Sequence, residues 1–230
     1  MTSAGSRQTG QVQSRLVQLL ASSGSSSATD GLPCFAERLG RLFGLRDTMR
    51  LDAATAFRSR HPGMNQGPVF DRLTQELATL RRGLIGKINR YGDDVEPTNT
   101  VALASYLNPW LVLQRKLAAT SDQFRDKVRQ TMKDHNQNLA RLAELDAVFD
   151  HTMAGYTSQC FSHTPRVLEQ RLQALQTASE QTQEPGTQPA DWLHRYWEEA
   201  QNLLLAELDV RLEPVLGLLE ACHNEVSKTP

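Results

Sequence analysis

At 230 residues the chain is long enough to bury a substantial core, and its 39% apolar and 22% charged residues exclude a disordered polymer. No apolar run approaches the roughly 18 residues of a membrane span, and the opening MTSAGSRQTGQVQ lacks the charged-then-apolar order of a secretory signal, so the expected address is cytoplasmic. The net charge of −1 hides an asymmetry: residues 1–90 hold 13 Lys+Arg against 6 Asp+Glu (+7), and residues 91–230 hold 12 against 20 (−8).

Leucine occurs 32 times and isoleucine twice, and no window alternates apolar with polar residues long enough to make a strand. The pattern predicts an all-α, antiparallel helical bundle with long, coiled-coil-like helices and an elongated shape. Its two regions are a basic helical part at 1–92 and an acidic bundle at 93–230, or one continuous domain.

In chain order, a first helix is expected over 11–21, with Val12, Leu16, Leu19 and Leu20 inward, ending in the linker SSGSSSATDG. Pro33 fits the first turn of a second helix carrying Phe35, Leu39, Leu42 and Phe43, with Gly44 closing it in a left-handed cap. A short helix over 47–57 precedes the breaker RHPGMNQGP. Leu73, Leu77, Leu80, Leu84 and Ile88 then mark one face of a helix that ends near Tyr91 and Gly92.

A long helix over 99–133 carries Tyr106, Trp110, Leu113, Leu117, Phe124, Val128 and Met132 at near-heptad spacing, kinked or broken at Pro109. After the polar DHNQN segment, Leu139, Leu142, Leu145, Phe149, Met153, Tyr156 and Cys160 form another stripe. Thr164 and Pro165 read as the cap and first position of a helix carrying Val167, Leu168, Leu172 and Leu175. Asp191 is the expected cap of the last helix. Its inward positions are Trp192, Tyr196, Trp197, Leu204, Leu208, Leu212, Val215 and Leu219, and Glu207 and Arg211 are placed for an i,i+4 pair worth ~0.3 kcal/mol if exposed.

The chemistry-bearing residues make no catalytic signature. Cys34, Cys160 and Cys222 lie far apart with no CxxC pair, which fits structural thiols in a reducing compartment. Asp191xxHis194 and Glu220xxHis223 resemble halves of a di-iron motif, but they share one helix 29 residues apart, roughly 43 Å, too far for one ion. Asp146, Asp150 and His151 fit a solvated helix face better than a metal or proton-transfer site. GxSxG, P-loop, dinucleotide and HExxH signatures are missing, so neither enzyme nor cofactor is expected.

Two surfaces remain as candidates for interaction. One is basic and includes Arg81 and Arg82, read either as an anion footprint or as a charge match to the acidic half. The other is the C-terminal stripe of Trp197, Leu204, Leu208, Leu212 and Leu219, read either as core or as a docking face.

The runs AELDVRLEPVLGLLEA (206–221), LARLAELDAVFDHTM (139–153) and FAERLGRLFGL (35–45) resemble an uncharacterised proteobacterial family defined only as a domain of unknown function. Members of that family are often encoded beside an ExbB/MotA-like membrane protein and an OmpA/MotB-like peptidoglycan-binding protein. The resemblance implies a non-enzymatic, soluble helical accessory of a cell-envelope assembly, reaching the membrane only through protein partners, and it transfers no catalytic residue. It leaves homo-oligomerisation open. A nucleic-acid-binding regulator using the basic half is the alternative, without a nucleic-acid motif to support it.

Overall fold

A computed structural model describes residues 14–22, 41–58, 67–93, 103–181 and 190–228. All regular structure among them is helical: α1 (Arg15–Ser22), α2 (Leu45–Thr55), α3 (Gly67–Asn89), α4 (Leu103–Lys133), α5 (Gln137–Ser162), α6 (Thr164–Gln181) and α7 (Ala190–Lys228). Val12, Cys34, Phe35 and Leu39 fall outside the described residues, as does the side chain of Asp191; α7 itself begins at Ala190.

The longest helix organises the rest. At 39 residues, α7 extends about 58 Å, and α1, α3, α4, α5 and α6 all pack on it, while α2 packs on α5. Its inward positions fall where the leucine spacing puts them: Tyr196, Leu204 and Val215 are fully buried, and Leu208, Leu212 and Leu219 nearly so. A single apolar cluster joins them to Leu16 of α1, Phe70, Leu73, Leu77, Leu84 and Ile88 of α3, and Tyr106, Trp110, Leu117, Phe124, Val128 and Met132 of α4. Residues on both sides of position 92 therefore share one core.

Directional bonds fix how these helices meet. Trp110 Nε1 donates to the Ala200 carbonyl at 3.1 Å, which ties α4 to α7, and Tyr91 Oη donates to the Tyr106 carbonyl at 2.9 Å. Gln201 of α7 donates to the carbonyls of Asn89 and Tyr91, groups left without amide partners where α3 ends. The chain then turns at Gly92, whose φ of +105° belongs to glycine; a Cβ there would lie 2.9 Å from the Trp197 ring, so the turn and the indole require each other.

Several local expectations are corrected. Of the kink or break expected at Pro109, the break does not occur: α4 continues through it, because the missing N–H costs one bond in the second turn, opposite the carbonyl of exposed Ser105. Gly44 is extended (φ −84°, ψ 175°) and begins α2 rather than ending a helix, with its N–H donating to Asp47 Oδ2 at 3.0 Å. The DHNQN segment, readable as a turn or as an exposed turn of a continuing helix, is the turn: Asn136 Oδ1 accepts from the Leu139 N–H at 2.9 Å and starts α5, while buried His135 stacks on Phe70 with ring centroids 5.0 Å apart. Thr164 does not cap α6. It is the first helical residue, its hydroxyl is buried without a partner, and only His163 separates α5 from α6.

The apolar stripe of α5 is corrected as well. Leu139 is buried, but Phe149 and Tyr156 are 40% and 45% exposed and Cys160 is exposed, while Ala140, Ala143 and Phe161 face the core instead. Small residues let α5 approach its neighbours closely in its first half. The larger side chains of its second half lie on a different face, where Phe149 meets Phe43 edge-on at 5.2 Å.

Candidate interaction surfaces

The C-terminal leucines are not a free docking face. Leu204, Leu208, Leu212 and Leu219 are 0–3% exposed inside the chain's own core, and Trp197 packs against that core with its ring over Gly92. Charge, more than the leucine stripe, distinguishes the remaining surfaces.

On one side, α4, α5 and α7 enclose a groove of about 820 Å³, lined by Arg125, Arg129, Asp150, Phe161, Arg211 and Pro214 among others. Arg125 and Arg129 stand four apart on α4, and Asp146 and Asp150 stand four apart on α5, so each pair lies on one face of its helix. They interlock. Arg125 donates to Asp146 Oδ2 at 2.9 Å and Asp150 Oδ1 at 2.7 Å, and Arg129 donates to Asp146 Oδ2 at 2.7 Å and Asp150 Oδ2 at 2.8 Å. The Arg129 side chain is 9% exposed and Asp146 14%. Burial works against the Arg129 charge, yet the bonds to Asp150 and Asp146 outweigh it and the net shift is upward. Asp146 and Asp150 are thus paired, partly buried members of a network and not the solvated face expected of them, though Asp150 stays 40% exposed, while His151 is exposed at the groove.

A second buried acid lies on α7 beneath Arg211, which lines the groove. Glu207 is fully buried, accepting from Arg211 Nη2 at 2.7 Å and Gln114 Nε2 at 2.8 Å. Burial raises its pKa, opposed by Arg211 and Gln114. The Arg211 guanidinium also lies 4.0 Å over the Phe161 ring, so the predicted i,i+4 pair is an interior one.

Across the molecule, the seam of α3 and α4 behaves differently. Arg81 pairs with Asp209 of α7 at 2.9 Å, a match of the basic to the acidic half, whereas Glu76 pairs with Lys127 in the opposite sense. Arg82 and Arg90 instead donate to carbonyls of their own helix, Ala78 and Gly86. Lys87 lies against Lys116 of α4, whose ammonium holds it below the usual lysine range, with Arg90 adding to the effect. None of Arg82, Lys87, Arg90, Arg115 and Lys116 is in an ion pair among the described residues.

Arg81 and Arg82, adjacent in sequence, thus face different surroundings. Net charge taken by halves misses Lys116, which lies beyond residue 92 yet meets Lys87 on this seam. The signal that could have found it is the run 97–121, which has no Asp or Glu.

The family's sequence profile, described as "Protein of unknown function (DUF3348)", matches residues 1–224. The chain belongs to this family. No curated protein and no solved structure matches it.

The other candidate ligands are spread out. His194 sits 3.6 Å from Glu198, and His223 Nε2 lies 3.3 Å from Asp71, so the two histidines expected to be too distant for one ion have separate partners. Among the described residues no three His, Cys, Asp or Glu side chains converge as a metal site would require. Cys222 is buried and its thiol is pushed up to about 12, outside the range of a reactive thiolate. No described helix is long and apolar enough to cross a membrane.

Proposed function

We propose that the chain is a non-enzymatic helical scaffold, a soluble cytoplasmic accessory that joins a cell-envelope assembly through protein partners. One observation supports this reading above others. Arg125 and Arg129 at the groove are committed to Asp146 and Asp150 across two helices, an arrangement that fixes register, while Arg82, Lys87, Arg90 and Lys116, in no ion pair among the described residues, stand on the other side of α4 and on α3. Such a molecule offers a rigid surface and a field. Complementary charge would then steer association and orient the partner more than it would add affinity.

Purification of the tagged chain from its native host in mild detergent tests the reading. Recovery with integral envelope proteins, reduced by Lys116→Glu, is the expected result. Recovery of the chain wholly in the cytosolic fraction, carrying nucleic acid that salt releases, would overturn it in favour of the nucleic-acid-binding alternative.

A further inference from the structure

We infer that the α3–α4 seam is a docking surface for an anionic lipid bilayer, held by Arg82, Lys87, Arg90 and Lys116 around exposed Val112. The inference deepens the envelope reading by naming what the accessory touches besides protein. Three observations carry it.

First, the cations are available: Arg82 and Arg90 reach only uncharged groups of their own helix, the Ala78 and Gly86 carbonyls and the Thr79 hydroxyl, and Glu76, the preceding carboxylate on α3, is already held by Lys127. Second, like charges are brought together rather than separated. Lys87 and Lys116 come from different, packed helices and meet in water, so together they present a local positive field to an approaching anion. Third, the surface between them suits a headgroup boundary. Val112 is 60% exposed one turn from Lys116, with exposed Pro109 and Ala119 along the same α4 face, and residues 77–92 and 97–121 contain no Asp or Glu. Exposed Asp93 lies just past Arg90, whereas Asp122, the next carboxylate along α4, lines the groove with Arg125 and Arg211 instead.

A bilayer fits this surface better than a narrow anion pocket, because the charges spread over two helices around an apolar point instead of converging on one centre. Charged residues near an anionic leaflet contribute additively, and the apolar side chain reaches the headgroup layer.

The test is co-sedimentation of the full chain with vesicles of phosphatidylcholine alone and with about 30% phosphatidylglycerol, at about 0.05 and 0.5 M NaCl. Binding is expected only to the anionic vesicles and only at low salt. Lys87→Glu with Lys116→Glu should weaken it by about tenfold or more. Lys87→Gln with Lys116→Gln, which removes charge without adding any, should lie between. Arg46→Glu with Arg166→Glu makes the same change in net charge on other helices and should bind as the wild type does. Circular dichroism establishes that each variant is folded.

Absence of sedimentation with anionic vesicles, equal binding to neutral ones, or equal loss in the two Glu double variants would overturn the inference. So would displacement by about 10 mM inorganic phosphate, which would mark a single-anion pocket, or tighter retention on duplex DNA than on the vesicles. Failure here with envelope proteins still co-purifying removes the lipid contact and keeps the scaffold; vesicle binding without any co-purifying protein does the reverse.

Discussion

The groove side and the seam side of α4 use the same residue types to opposite ends. Facing α5, Arg125 and Arg129 are largely buried and each meets two aspartates; facing α3, Lys116 meets another lysine. Opposite charges withdrawn from water are costly unless their geometry is satisfied, so the first arrangement constrains how helices sit. Like charges left in water cost little at physiological ionic strength and constrain nothing inside the molecule. Their positions matter for what comes from outside.

The largest expected effect tests the first arrangement. Asp146→Ala strips both arginines of a shared acceptor and should cost about 3–5 kcal/mol by urea unfolding, because it strands buried guanidinium charge. A loss below about 1 kcal/mol would place the network on the surface in energetic terms. Leu208→Ala, in the core of α7, should cost about 2–5 kcal/mol and show no dependence on salt, a useful contrast with the charged sites.

Glu207 sharpens the comparison through pH. Burial raises its folded pKa above the unfolded value, so between the two the folded state binds more protons and stability falls as pH rises through that window. Glu207→Gln cannot titrate. The wild type should therefore lose stability relative to this variant as pH rises above the ordinary glutamate range, and a difference independent of pH would contradict the assignment.

The smallest effect belongs to Arg81–Asp209, where both partners are about half exposed: Asp209→Ala should cost at most about 0.2–1 kcal/mol, disappearing in about 0.5 M NaCl.

Much of this was legible in the sequence, for reasons that also explain the failures. Helix existence and the inward faces of α3, α4 and α7 follow from leucine spacing, since a stripe at 3.6-residue period has only one way to leave water. The second half of α5 defeated the same rule. Phe149, Met153 and Tyr156 are spaced as a stripe, but whether a stripe is covered depends on neighbours that one helix cannot specify. Gly44 permits a left-handed cap without requiring one, and Thr164 offers a hydroxyl that the short α5–α6 junction turns inward.

The charged sites were harder still. Asp146 and Asp150 look like a solvated face until Arg125 and Arg129, at the same i,i+4 spacing across a short turn, are placed opposite them. Lys87 and Lys116 are adjacent only because α3 packs on α4. Net charge summed along the chain cannot contain that fact. It assigns Lys116 to an acidic half, although its surroundings are basic.

The central claim is that buried opposite charges hold α4 to α5 while the exposed like charges remain free for a partner. A double-mutant cycle on Arg129→Ala and Asp146→Ala, measured by urea unfolding at low and high salt, tests it most directly. A coupling of about 1–3 kcal/mol that persists in about 0.5 M NaCl is the predicted result. Coupling below about 0.3 kcal/mol, or coupling that salt abolishes, would contradict it.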